Sequence, residues 1–167
     1  MSDRLKYWLP AIFVAILISV FSTHFFSHQQ TARVIMPVLR WLFPLASQHT
    51  LYLMHVAIRK LAHVTEFGAF SIAVFHGVRG KRSGWRLEWA LSTLLIAVAY
   101  GALDEWHQSF VPMREPRVRD VVIDAIGAAL AQVLVWAYAK LRRGSTDFEG
   151  APQTAAEPEP RAPWIKE

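Results

Sequence analysis

His63 and Glu66 stand one helical turn apart, an imidazole beside a carboxylate, and are the first pair in this chain equipped for proton chemistry. Asp104, Glu105 and Gln108 follow, then Arg114, then Asp120 and Asp124. A histidine oriented by a carboxylate is a common design for a general base or nucleophile. Here His63 would be the base, with Glu66 or Asp104 to orient it. Lys60 and Arg114 would hold a phosphate or carboxylate, Arg114 through a bidentate fork. The same oxygen and nitrogen donors suit Mg²⁺ or Ca²⁺. No His-Glu-x-x-His signature is present, however, and the residues name no cofactor.

The surroundings of these residues are oily. The chain is 53% hydrophobic over 167 residues, above the usual share for soluble domains. It has no cysteine, which removes disulfides, thiolate metal sites and cysteine nucleophiles. Net charge is +5, but the basic residues flank apolar runs, a pattern of membrane topology rather than nucleic-acid binding. Residues 144–167 set five acids against two bases in a proline- and alanine-rich stretch with little apolar material. They are expected to be a disordered acidic tail after a single domain over 1–143.

Crossing a hydrocarbon core takes roughly 20 apolar residues. Four stretches meet this, at about 7–26, 57–78, 87–106 and 120–141. The first has Arg4 and Lys6 before it but no small-residue cleavage site after it, so it is expected to be retained as a span. Between spans one and two, Pro37 and Pro44 interrupt an apolar segment, which fits two short helices lying in the interface or a loop with hydrophobic anchors. The second span is the informative one. Its purely apolar part, 67–78, is too short to cross, so His63 and Glu66 are drawn to or below headgroup level. The expected fold is all-α: a four-helix transmembrane bundle with short interfacial helices after span one.

Sidedness follows from the basic residues. With the N-terminus inside, inner segments hold nine Lys and Arg and outer segments seven. "RGKRSGWR" is the clearest inner loop, and both termini are then cytoplasmic. The start of span two, the end of span three and the start of span four share the outer face. At 100° per residue, Arg59, His63 and Glu66 fall within about 60° of arc, as do Asp120, Asp124 and Gly127; Asp104 and Gln108 are about 40° apart. Three polar stripes can therefore meet inside a bundle. Gly127 and Ala131 form a small-xxx-small pair for close packing. His24, His28, His49, His55 and His76 are expected to be polar fringe near the interfaces, and His107 to face outward.

These residues carry a resemblance. "RKLAHVTEF", "DEWHQSFVPMR" and "RDVVIDAIGA" resemble three elements of the VanZ-like family of bacterial membrane proteins. The matched positions are Lys60, His63, Glu66 and Phe67; Asp104, Glu105, Gln108, Phe110, Pro112 and Arg114; and Asp120, Asp124 and Gly127. Met113 stands where the family often has glycine. The resemblance covers roughly residues 8–141 and implies a small multi-pass protein of the bacterial inner membrane. The family's namesake is associated with teicoplanin resistance.

Two functional readings and one structural reading follow. The charged groups form an outer cavity that binds an envelope lipid or a lipid-linked headgroup, with a link to glycopeptide tolerance. Alternatively, they form a membrane-embedded hydrolase or transferase acting on a polyprenyl-phosphate or phospholipid. In the structural reading the charges pair with one another, Lys60 with Asp104 or Arg114 with Asp120, and lock three helices together. The expected partner in either functional case is a membrane lipid or lipid-linked precursor, not nucleic acid.

Overall fold

The computed structural model describes residues 3–112 and 117–149. Its helices run in the order α1 (Asp3–Phe21), a single 3-10 turn (His24–Phe26), α2 (His28–Leu42), α3 (Gln48–Arg79), α4 (Leu87–Gln108) and α5 (Val118–Glu149). No strand occurs among the described residues. Among the described residues, four helices are long and apolar enough to cross a membrane: Arg4–Phe21, Gln48–Arg79, Leu87–Gln108 and Val118–Arg142.

The fourth and third spans lie close to where apolar length puts them; the other boundaries differ for local reasons. α1 begins at Asp3, so Pro10 falls past the first turn, and it ends at Phe21 rather than near Phe26. Thr23 there turns its hydroxyl back to Val20 O at 2.7 Å, and the chain leaves the helix. The segment expected to hold two short helices is one, because α2 continues through Pro37 and stops before Pro44. A proline costs a helix one hydrogen bond without forbidding continuation. α2 is far more amphipathic than the four spans, as an interface-lying helix should be. Ser27 caps it by accepting from Gln30 N. α3 starts nine residues earlier than the apolar pattern requires, at a cap in which Ser47 accepts from Thr50 N at 3.1 Å. At 1.5 Å per residue its 32 residues exceed a ~30 Å hydrocarbon core. The excess carries α2. α5 runs on to Glu149, past the boundary expected at residue 143; residues 150–167 lie outside the described residues.

α3 is the centre of the bundle, packed against α1, α4 and α5. Its neighbours alternate in direction. Gly77 near the end of α3 meets Trp8 near the start of α1, and Phe75 meets Trp89 near the start of α4. α5 runs parallel to α3, with His63 beside Asp124 and Ser71 beside Ala128. The ends of α1 and α4 and the starts of α3 and α5 thus share one end of the molecule.

The polarity of the bundle is that of a membrane protein. Leu95 is 72% exposed and Leu134 67% on the outside, while Thr93, Asp104, Asp124 and Gln132 are buried within. Between lipid-bathed helices the hydrophobic effect supplies little attraction, so close packing and hydrogen bonds must hold them. Both are present. Phe67, Phe70 and Tyr100 cluster at centroid distances of 4.8–6.4 Å. Tyr100 donates to Ala15 O at 2.7 Å, Ser71 donates to Ala128 O at 3.1 Å, and Gln132 Nε2 donates to Ser71 Oγ at 2.9 Å.

Candidate functional site

The polar end of the bundle is assembled from four helices. α3 brings His63 and α5 brings Asp124, whose side chain is 1% exposed. His63 Nδ1 lies 3.1 Å from Asp124 Oδ1. With the carboxylate ionised, Nδ1–H is the donor and Nε2 is the ring's remaining basic nitrogen. That nitrogen makes no hydrogen bond among the described residues.

This contact depends on small residues. A β-carbon at Gly127, one turn beyond Asp124, would fall 2.5 Å from Val64 O. Only glycine lets α5 sit so close to α3 beside His63. Gly101 of α4 serves the same purpose: a β-carbon there would meet Phe67 Cε1 at 3.3 Å and Asp124 Oδ2 at 3.4 Å.

α4 supplies the second group. Asp104, Glu105 and Gln108 are all buried. Gln108 Nε2 donates to Asp104 Oδ2 at 2.7 Å, and Ser22, just past α1, donates to the same oxygen at 2.7 Å. Ser22 Oγ in turn accepts from Gln108 Nε2 at 3.3 Å. Glu105 Oε2 accepts from Arg117 N at 2.7 Å, where its negative charge sits at the positive start of α5.

The two groups form one electrostatic unit. Asp104, Asp120 and Asp124 all lie within electrostatic reach of Glu105, and Glu66 and Asp120 of His63. Arg59 feels both Asp120 and Glu66. Its guanidinium is anchored on the other side by Phe26 O and Thr31 Oγ1, each at 3.1 Å, which ties α3 to the 3-10 turn and α2.

Of the residues expected at the site, the structure brings together His63, Glu66, Asp104, Glu105, Gln108, Asp120 and Asp124. The partner that orients His63 is Asp124, in place of the expected Glu66 or Asp104, because parallel packing of α3 on α5 puts those two residues in register. Lys60 is exposed and does not pair with Asp104, whose Oδ2 accepts from both Ser22 and Gln108. Arg114, with its pairing to Asp120, lies outside the described residues. No group of three metal-ligating side chains converges among the described residues. His107 is exposed, as expected.

Ser22 and His55 were not legible as site or core residues. A lone serine after an apolar run carries no pattern, yet it joins α1 to the Asp104 carboxylate. His55, expected at the polar fringe, is fully buried: its Nε2 lies 3.3 Å from Thr31 Oγ1 and its ring 4.6 Å from that of His28. α2 covers it, and sequence periodicity within α3 says nothing of a covering element.

Apolar side chains outward, ionisable groups inward and four helices of crossing length define a multi-pass integral membrane protein. Residues 8–139 match the family model described as VanZ/LLP1. The chain belongs to that VanZ-like family. No curated protein and no solved structure matches it.

Proposed function

We propose that the chain is a receptor of the bacterial inner membrane for an envelope lipid or lipid-linked headgroup, with the carboxylate cluster at the outer face and both termini in the cytoplasm. The observation that carries this reading is the half-buried His63 paired with the buried Asp124, set among Glu66, Asp104, Glu105 and Asp120. Ionisable groups inside a membrane are costly and by default mark function. Among the described residues, Glu66, Asp104, Glu105, Asp120 and Asp124 lie together around the His63 imidazole and the Arg59 guanidinium. Carboxylates gathered at one end suit a headgroup rich in hydroxyl or ammonium donors. Lys60, exposed one turn before His63, is available to a phosphate beside them.

The test is binding of a polyprenyl phosphate to the purified full chain in nanodiscs. Saturable binding that falls at least about tenfold in Asp124→Asn and His63→Ala is expected, the equivalent of one lost charged hydrogen bond. No binding by the wild type to polyprenyl phosphates or their glycan-linked forms would end the proposal. A link to teicoplanin tolerance, carried from the family, predicts that expression raises the tolerated concentration and that Asp124→Asn cancels the rise.

One observation favours a second reading. A histidine held through Nδ1 by a buried aspartate, with Nε2 spare, is the geometry of an oriented general base. Under this reading the protein is a hydrolase or transferase of a polyprenyl-phosphate or phospholipid. Product release from bound lipid by the wild type, lost in His63→Ala, decides for it; binding without turnover decides against it.

A further inference from the structure

The opposite end of the bundle carries a groove of about 720 Å³ between the start of α1 and the turn after α3. Arg4, Arg79, Lys81 and Arg82 line it, and no acidic residue does among the described residues. We propose that this groove binds the phosphate headgroup of an anionic phospholipid from the adjoining leaflet.

The groove is built rather than incidental. Its floor is the Trp8 indole laid on Gly77, where a β-carbon would come within 2.7 Å of Trp8 Cδ2. Any larger residue at 77 would push the ring into the groove. Arg82 is held in the wall: it donates from Nε to Arg79 O at 2.9 Å and from Nη2 to Val78 O. Its guanidinium lies over Trp89, 4.6 Å from the ring centroid. Carbonyls fix its position without neutralising it. Arg79 Nε is buried and finds no acceptor among the described residues, which leaves a cationic donor unmet.

The unmet Arg79 donor, with the like charges of Arg4 and Arg82 around the same hollow, calls for an anion. Two features select a lipid over free phosphate. The groove opens at the ends of membrane-crossing helices, where headgroups lie, and most of its lining is apolar, suited to a glycerol backbone and the first acyl carbons. Basic pockets between transmembrane helices are a recurring means of holding anionic headgroups.

The experiment is native mass spectrometry of the detergent-purified full chain, offered phosphatidylglycerol and phosphatidylcholine with identical acyl chains. Preferential retention of phosphatidylglycerol is expected. Arg4 and Lys81 are exposed, so replacing them leaves the fold intact. Arg4→Ala with Lys81→Ala should lower phosphatidylglycerol affinity roughly thirty-fold, at about five-fold per cation. Lys140→Ala with Arg142→Ala, at the same end but outside the groove, should leave it within about two-fold. Equal retention of the two lipids, or an equal loss in both double variants, overturns the proposal. So does glycerol phosphate binding as tightly as the lipid, which would make this a site for a free anion.

Discussion

A single methyl group at Gly127 should separate the two helices that hold the polar site. Its carbon would lie 2.5 Å from Val64 O, 2.8 Å from Val64 Cα and 3.0 Å from Val64 C. All three are backbone atoms of the central helix and cannot rotate away. Carbon contacts are comfortable only from about 3.5 Å, so α5 must move off α3 by roughly 1 Å. His63 Nδ1 and Asp124 Oδ1, now 3.1 Å apart, would then exceed hydrogen-bonding distance. Overpacking costs about 1–3 kcal/mol and a lost charged hydrogen bond about 1.5–3 kcal/mol, against ~1 kcal/mol gained in helix propensity. The net loss is about 2–5 kcal/mol, which should lower the unfolding temperature in detergent by roughly 10 °C. Gly68→Ala is the control. Its β-carbon would sit 3.5 Å from Gly127 O and 3.9 Å from Ala131 Cβ, an ordinary contact, so stability should hold or rise by up to ~1 kcal/mol. Thermal unfolding followed by tryptophan fluorescence, with polyprenyl-phosphate binding measured alongside, reads both effects. Wild-type stability in Gly127→Ala, or equal damage in Gly68→Ala, would refute the reasoning.

Three further outcomes are expected. His63→Ala strands the Asp124 carboxylate and should cost about 3–5 kcal/mol, whereas the double variant with Asp124→Ala should cost less than the two single losses combined; strict additivity in the thermal cycle would show the pair uncoupled. Ser22→Ala removes one of the two donors on Asp104 and should cost about 1–2 kcal/mol, with Ser22→Thr restoring most of it in the same assay. Since the chain has no cysteine, single cysteines at Met113 and Ser83 report sidedness: a membrane-impermeant maleimide on intact cells should label the first and not the second, and the reverse would put the carboxylate cluster in the cytoplasm.

Much of the site was legible because charge is so conspicuous against apolar sequence. His63, Asp104, Gln108, Asp120 and Asp124 stand on predictable helical stripes, and stripes face something. Pairing was not legible. Periodicity places a residue around its own helix axis, but the depth at which two helices meet depends on how far their backbones close. Gly127 against Val64 makes that choice, and so gives His63 to Asp124. Ser22 carried no signal and His55 was expected at the polar fringe for a related reason: each takes its meaning from another element, the α4 carboxylate for Ser22 and the cover of α2 for His55. The α2 segment was expected as two short helices or a loop because proline is a statistical breaker, while an amphipathic face with a buried Leu39 carried one helix across Pro37.

Hydrophobic length and charge placement alone determined that this is a helical protein with four membrane-crossing segments and its carboxylates gathered at one end. Both are properties of single helices in a hydrocarbon solvent, which admits only chains that satisfy their own backbone. Tertiary structure decided which carboxylate holds the imidazole, which cations stay exposed and where a basic groove opens. Those outcomes turn on distances of a few tenths of an ångström between helices, set by the smallest side chains rather than by the charged ones.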